Sequence, residues 1–149
     1  MNEVTVNKKM KLSEHFLLGE FTKTKHKTAD GNIPSHAVIE NLKRLCPWLE
    51  ELRRRYNEPI IINSGYRSPA VNKLAGGAKT SNHLTGCAVD IRCAGKEQMI
   101  RYASILLDIA DSTKQDYDEL LLEQHGSVCW LHFAVRLKDN RRKIEFLKS

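Results

Sequence analysis

A histidine and an aspartate seven positions apart, with one glycine between them, constrain this chain more than any other feature. Residues 81–90 read SNHLTGCAVD, so that His83 and Asp90 frame Gly86, and a second histidine, His132, lies far downstream in the segment WLHF. Two imidazoles and one carboxylate form a nitrogen and oxygen ligand set that suits zinc. Three protein ligands leave one tetrahedral position open for water, as in catalytic rather than structural zinc sites.

The residues that follow Gly86 alternate as a strand does. Glycine permits a turn that most residues resist, and the strand predicted over residues 87–91 then places Ala88 and Asp90 on one face and the apolar residues on the other. The small Ala88 beside Asp90 leaves room for an ion. Taken alone, the same residues also allow a reading in which His83 caps a loop and Asp90 pairs with an arginine.

Upstream of this stretch, the sequence predicts a long helix and a short buried strand. Apolar residues recur at spacings of three and four between Val38 and Tyr56, in a helix that begins at Pro34. Pro47 should kink this helix or divide it into two. Residues 59–63 (PIIIN) read as a buried strand that leads to the segment SGYR at 64–67, and a short helix over 70–75 precedes the loop to His83.

Downstream, one helix and two strands are predicted. The helix runs over residues 96–110, and the first strand, 117–123, ends at Glu123 before a turn over 124–128. The second strand, 130–137, places Trp130, His132 and Ala134 on one face. The order of elements predicts an α+β fold in which a small, mostly antiparallel sheet is backed by helices.

Composition places the chain among globular proteins. At 149 residues, with 41% hydrophobic and 28% charged residues, it has the size of one domain with its own core, and no apolar run approaches the length of a membrane span. The net charge of +6 favours an anionic partner. The basic residues are scattered with three small clusters and no nucleic-acid motif accompanies them, so we expect solvated surfaces and no nucleic-acid partner. The four cysteines form no C-x-x-C pair, and we interpret all four as reduced.

Three segments together resemble a known family. SNHLTGCAVDI, preceded by SGYRSP and followed by a strand with a tryptophan two positions before a histidine, resembles the zinc D-alanyl-D-alanine carboxypeptidase-like peptidases of the M15 group, whose metal cradle is similar to that of the Hedgehog signalling domain. The resemblance runs from about Leu12 to Arg136. It implies a Hedgehog/DD-peptidase-like fold and one Zn²⁺ per chain, bound by His83, Asp90 and His132.

The resemblance also leaves a question about the general base. Many M15 peptidases carry an acidic residue three positions before the second histidine, and here that position is Cys129. Glu123, at the end of the preceding strand, is the better candidate, with Glu119 and Asp118 as competitors earlier on the same strand. The alternative is that Glu123 is a solvent-exposed glutamate at a strand end.

Further site residues are implied in the same way. Arg67, in the SGYRS loop, matches the family arginine placed to bind substrate carbonyl or carboxylate oxygens, a task that suits the fixed guanidinium fork, and it is counted with Glu123 among the catalytic residues. It could equally be a buried partner of Asp90. Ser81 matches a substrate-binding serine, and Trp130 could either floor the substrate groove or pack in the core.

The ligand set predicts a zinc site, and the resemblance implies a zinc metallopeptidase that hydrolyses the stem peptides of peptidoglycan. It would be a D,D-carboxypeptidase or dipeptidase, or an endopeptidase of the L-alanyl-D-glutamate type such as phage endolysins; the alternative is a non-catalytic, zinc-stabilised binding module. We expect a flexible tail over residues 1–11 and one peptidase domain over 12–149, a monomer whose partner is peptidoglycan or a muropeptide. Since the N-terminus lacks the pattern of a signal peptide, we expect synthesis in the cytoplasm and release to the cell wall by another system.

Overall fold

The computed structural model describes residues 7–149, which form seven strands and four α-helices. The strands are β1 (Lys11–Ser13), β2 (Phe16–Leu17), β3 (Ile62–Ser64), β4 (Ala88–Cys93), β5 (Glu119–His125), β6 (Val128–Ala134) and β7 (Lys143–Lys148). The helices are α1 (Leu18–Thr22), α2 (His36–Tyr56), α3 (Pro69–Leu74) and α4 (Lys96–Thr113), and a 3-10 helix spans Asn82–Thr85. The predicted α+β class is confirmed.

Five strands form the main sheet in the order β3-β4-β6-β5-β7. The pairs β3–β4, β4–β6 and β5–β6 are antiparallel, whereas β7 lies parallel to β5 at the edge. Strands β5 and β6 form a hairpin whose last pair is His125 with Val128. The prediction of a mostly antiparallel sheet therefore holds, with β7 as its one parallel strand.

Helices α2 and α4 cover one face of this sheet. Ser35 caps α2, since its side chain accepts a hydrogen bond from the Val38 amide, and Asn57 ends the helix in the left-handed conformation, with φ of 60°. The apolar stripe of α2 is buried with that of α4 against alternate residues of β4 and β6, and Trp48 packs on Phe133 with ring centroids 5.1 Å apart. The opposite face of β4 and β6 is therefore the one available for a polar site.

Several element bounds differ from those predicted. Helix α2 begins at His36 and continues through Pro47 as a single helix, because the rest of its apolar stripe remains packed in the core. The turn predicted over residues 124–128 is present but shorter, since β5 extends to His125 and only residues 126 and 127 connect it to β6. Glu123 consequently lies inside β5 rather than at its end. The sequence analysis also missed β7, whose residues are mostly exposed and lack a clear apolar alternation.

The N-terminal part of the domain is tied to α1. Of the predicted tail over residues 1–11, residues 1–6 lie outside the described part of the chain. The carbonyl groups of Lys8 and Met10 accept hydrogen bonds from the amides of Gly19 and Leu18, at 2.9 and 2.8 Å, and Lys11 begins β1. In residues 7–149 no helix combines the length and the apolar character that crossing a membrane requires.

Gly86 is the position at which the fold depends most on the absence of a side chain. It ends the 3-10 helix with φ of 75°, and a Cβ there would lie 2.8 Å from both Val38 Cγ1 and the Val38 carbonyl oxygen. The left-handed conformation costs an L-residue roughly 1–2 kcal/mol. The contact with α2 adds overpacking of about 1–3 kcal/mol, because a backbone oxygen cannot move aside easily.

We therefore expect Gly86→Ala to lower the free energy of unfolding by about 2–5 kcal/mol, measured by urea denaturation. Gly76→Ala is the matched control, since Gly76 has φ of 74° but no atom within 4 Å of its Cβ position. That variant should lose only the conformational part, about 1–2 kcal/mol. Equal losses in the two variants would contradict the role given to the contact with Val38.

Candidate metal centre

The antiparallel pairing of β4 with β6 brings Asp90 and His132 together. The two residues are direct cross-strand partners, and both point away from the face that packs on the helices. Asp90 Oδ1 lies 3.2 Å from His132 Nδ1. Two residues that are 42 positions apart in the chain thus become neighbours through strand register alone.

His83 reaches the same point from the 3-10 helix. Ser81 caps that helix, since its hydroxyl accepts a hydrogen bond from the His83 amide at 3.1 Å. The His83 ring is buried, and its Nδ1 lies 2.6 Å from the Gly65 carbonyl oxygen. Because a carbonyl oxygen only accepts, Nδ1 carries the proton and Nε2 is left with its lone pair.

The free nitrogen of His83 faces Asp90. Its Nε2 lies 3.3 Å from Asp90 Oδ1, yet the alignment does not make a hydrogen bond, so this atom is buried without a partner among residues 7–149. Donor atoms of His83, Asp90 and His132 all lie within 4.8 Å of one another. Two ring nitrogens and one carboxylate oxygen at this separation, one of them an orphaned acceptor, fit a divalent metal ion such as zinc.

The charges in this cluster are strongly coupled. Burial alone would raise the pKa of Asp90, but the neighbouring rings of His83 and His132, the latter within hydrogen-bond distance of Oδ1, hold that pKa well below its usual range. Burial likewise lowers the pKa of His132, and hydrogen bonds with Asp90 and Glu119 outweigh it and raise that pKa to about 9. The carboxylate thus stays ionised, as a metal ligand must.

Glu119 holds the other nitrogen of His132. Its Oε1 lies 3.0 Å from His132 Nε2, which leaves Nδ1 directed toward Asp90 and His83. The amide group of Asn82 donates to both Glu119 Oε1 and Asp118 Oδ2, at 2.6 and 2.8 Å. A carboxylate that fixes the orientation of a ligand histidine is a common second partner in metal sites.

Asp118, which accepts a hydrogen bond from the same Asn82 amide group, is fully buried. Arg141 binds it through two side-chain hydrogen bonds, at 3.0 and 2.8 Å, and Arg136 Nε lies 3.2 Å from its Oδ2. The sequence predicts Asp118 and Glu119 only as competing bases. It does not indicate that Asn82, Arg136 or Arg141 belongs to the site. Asn82 adjoins His83 in the sequence, but nothing in the pattern indicates that its side chain turns toward β5.

Glu123 lies on the same face of β5 as Glu119, opposite Trp130. It lines a cavity of about 480 Å³ together with His83, Asp90 and His132. The Trp130 indole donates a hydrogen bond to Glu123 Oε2 at 3.0 Å, and Trp130 is half-buried at the cavity wall rather than in the core. Burial, and then the charge of Asp90, raise the pKa of Glu123, which makes it a stronger proton acceptor than an exposed glutamate.

Arg67 and Ser81 border the same cavity. The Arg67 amide donates to the His83 carbonyl at 3.0 Å, and its side-chain Nε is buried without a hydrogen-bond partner in the described structure. Burial lowers the pKa of Arg67, while Asp90 and Glu123 act in the opposite direction. Within residues 7–149 Arg67 forms no ion pair with Asp90, whose nearest side-chain nitrogens are those of the two histidines.

This arrangement agrees with the family to which the sequence belongs. The sequence model of the family described as Peptidase M15 matches residues 14–118, and the chain is therefore a member of that family and a peptidase. The matched segment contains Arg67, His83 and Asp90, whereas β5 and β6, with Glu119, Glu123 and His132, lie beyond it. None of the curated proteins compared with the chain matches it.

The buried carboxylate of Asp118 generates a prediction about stability. Burial raises its pKa, but Arg141 and Asn82 reverse this and lower the pKa to about 2. A depressed pKa contributes stability that is present above the unfolded-state value of about 3.9 and is lost as the pH falls through the folded-state value.

We expect Asp118→Asn to be less stable than the wild type by about 2 kcal/mol at pH 7, and about half of this difference to be lost by pH 3. Urea denaturation across this range measures it. Asp116→Asn serves as the control, because the exposed Asp116 pairs only with Arg142 among the described residues, and it should change stability by less than about 0.5 kcal/mol. A pH-independent difference for Asp118→Asn would contradict the ionic role.

Proposed function

We propose that this M15 peptidase is a zinc enzyme that hydrolyses the stem peptides of peptidoglycan. The observation that carries the proposal is the buried cluster of His83, Asp90 and His132, whose donor atoms lie within 4.8 Å at the wall of a cavity. The bond cleaved is either a D,D bond, as in a carboxypeptidase or dipeptidase, or an internal bond of the L-alanyl-D-glutamate type.

The zinc ion would be held by His83 Nε2, an Asp90 carboxylate oxygen and His132 Nδ1. Bound zinc lowers the pKa of a water ligand toward 7 and polarises a peptide carbonyl group. The protein fixes the two rings through their other nitrogens, with the Gly65 carbonyl on His83 and Glu119 on His132. The protein thus fixes the orientation of both rings, and the His132 ring, whose pKa is raised to about 9, would release its Nδ1 proton on binding a metal ion.

Glu123 is the residue that we assign to proton transfer. Its carboxylate accepts a proton from the attacking water and returns it to the nitrogen of the leaving amine. The partial burial of Glu123 and its raised pKa favour this role. The indole of Trp130 binds one carboxylate oxygen, Oε2, and so orients the group toward the cavity.

Arg67 is the residue that we assign to substrate oxygens. Its Nε is buried without a hydrogen-bond partner in the described residues. A carbonyl or carboxylate oxygen of the peptide would accept a hydrogen bond from this nitrogen. Ser81 already accepts the His83 amide, so its hydroxyl hydrogen is the part that remains for a substrate acceptor.

The choice of peptidoglycan rests on the resemblance to D-alanyl-D-alanine peptidases. Purified sacculi and soluble muropeptides, digested beside casein and analysed by product masses, test it. We expect muropeptide fragments and intact casein. Cleavage of casein with untouched muropeptides would contradict the substrate, and bound zinc without any hydrolysis would indicate a binding module instead.

Metal analysis tests the ligand set. We expect about one zinc per chain in the wild type and a substoichiometric content in His83→Ala, Asp90→Ala and His132→Ala, because two ligands do not retain the ion. His36→Ala is the control, since the exposed His36 lies outside the cluster, and it should keep the full content. Full zinc in all three ligand variants would place the metal elsewhere.

Glu123→Gln tests the base. The substitution keeps the size and the hydrogen bond from Trp130 but removes the basicity, so hydrolysis of a confirmed muropeptide should fall about 10²- to 10⁴-fold while the zinc content is unchanged. The exposed Glu97→Gln should behave as the wild type. Near-normal turnover by Glu123→Gln would exclude this residue as the base, and loss of zinc would make it a ligand.

A further inference from the structure

A second cavity adjoins the metal cluster on the side of α1. Its volume is about 430 Å³, and it shares Arg67, Ala75 and Asp90 with the cavity that contains Glu123. A ligand that occupies the second cavity therefore lies against a proposed metal ligand and against the proposed substrate arginine.

The segment that follows α1 supplies the outer wall of this cavity. Lys23, Lys25 and His26 line it, across from Asn63 and Ser64 at the end of β3. Nothing in the sequence indicates that this segment lies near the site. It reaches the rim of the cavity because Gly65 packs directly on Phe21, and the Tyr66 amide donates a hydrogen bond to the Phe21 carbonyl at 2.7 Å.

The positive charges of the two cavities differ in how far they are neutralised. In the cavity that contains Glu123, Arg136 and Arg141 both pair with Asp118, and Lys143 lies 3.4 Å from Glu145. In the second cavity, neither Lys23 nor Lys25 pairs with any carboxylate of the described residues.

Among residues 7–149, Asp90 is the one acidic side chain on the wall of the second cavity, and two histidines already lie beside that carboxylate. The unneutralised positive charge of the cleft is therefore concentrated on the side of α1, where Lys23 and Lys25 join Arg67.

We propose that this second cavity is a subsite for a carboxylate-bearing residue of the substrate, recognised by Lys23 and Lys25. The substrate is then an acidic peptide that carries a free carboxylate close to the scissile bond. This inference rests on the proposed function for the identity of the reaction, but the contribution of Lys23 and Lys25 to carboxylate binding can be measured without turnover.

Carboxylate recognition by two exposed lysines is of moderate strength. Each exposed ion pair contributes about 0.2–1 kcal/mol, so two together favour a carboxylate over an amide by about two- to thirtyfold in affinity. The preference should weaken as salt is added, because exposed charges are screened over about 10 Å at 0.1 M.

The test is a binding titration followed by NMR. The probes are acetyl-L-alanyl-D-glutamate and the same dipeptide with both carboxyl groups amidated. We expect the wild type to bind the free acid about two- to thirtyfold more tightly than the diamide, and Lys23→Gln/Lys25→Gln to lose most of this preference. Lys27→Gln is the matched control, since Lys27 lies on the same segment, is exposed and does not line the cavity.

The possible outcomes separate this inference from the proposed function. The subsite is refuted if the double variant and Lys27→Gln prefer the free acid over the diamide equally. It is also refuted if the wild type shows no such preference or does not bind the free acid at millimolar concentration. A lysine-dependent preference in a protein that cleaves no muropeptide would support the subsite and refute the proposed reaction. Muropeptide cleavage without any lysine-dependent preference would support the proposed reaction and refute the subsite.

Discussion

The register between β4 and β6 is the constraint on which the site depends. Side chains of a strand alternate between the two faces of a sheet, so a slip of one residue would place Asp90 opposite a core residue and turn His132 away from it. Four apolar side chains on the other face of these strands oppose such a slip: Val89, Ile91, Leu131 and Phe133. The packing that stabilises the sheet therefore also fixes two of the three proposed ligands.

The polar face of the same sheet lowers the free energy of unfolding. Buried side-chain atoms without a hydrogen-bond partner, such as His83 Nε2 and Arg67 Nε, cost roughly 1–3 kcal/mol each. Proteins keep such atoms mainly where a ligand satisfies them. Both residues line the same cavity as Asp90, as expected if one atom binds a metal ion and the other a substrate oxygen.

Local pattern was sufficient for part of this structure. The alternation after Gly86 and around His132 predicted which faces Asp90 and His132 occupy, and the apolar stripe predicted α2. The sequence could not predict β7 or the contacts of Asp118 with Arg136 and Arg141, because these depend on pairings between distant and mostly polar segments. Ser81 illustrates the limit for single residues, since its capping of the 3-10 helix is compatible with, but does not establish, a substrate contact.

One of the three proposed ligands, His132, reaches the other two only through a contact between distant parts of the chain. Asp90 contacts His132 when β4 pairs with β6, and α4 and β5 lie between these two strands in the chain. Such long loop closures form late because their entropy cost precedes the gain from the contacts. The hairpin itself is local and forms without them. A nascent or partly folded chain can therefore contain every ligand and still have no metal centre, so that assembly of the site coincides with completion of the sheet.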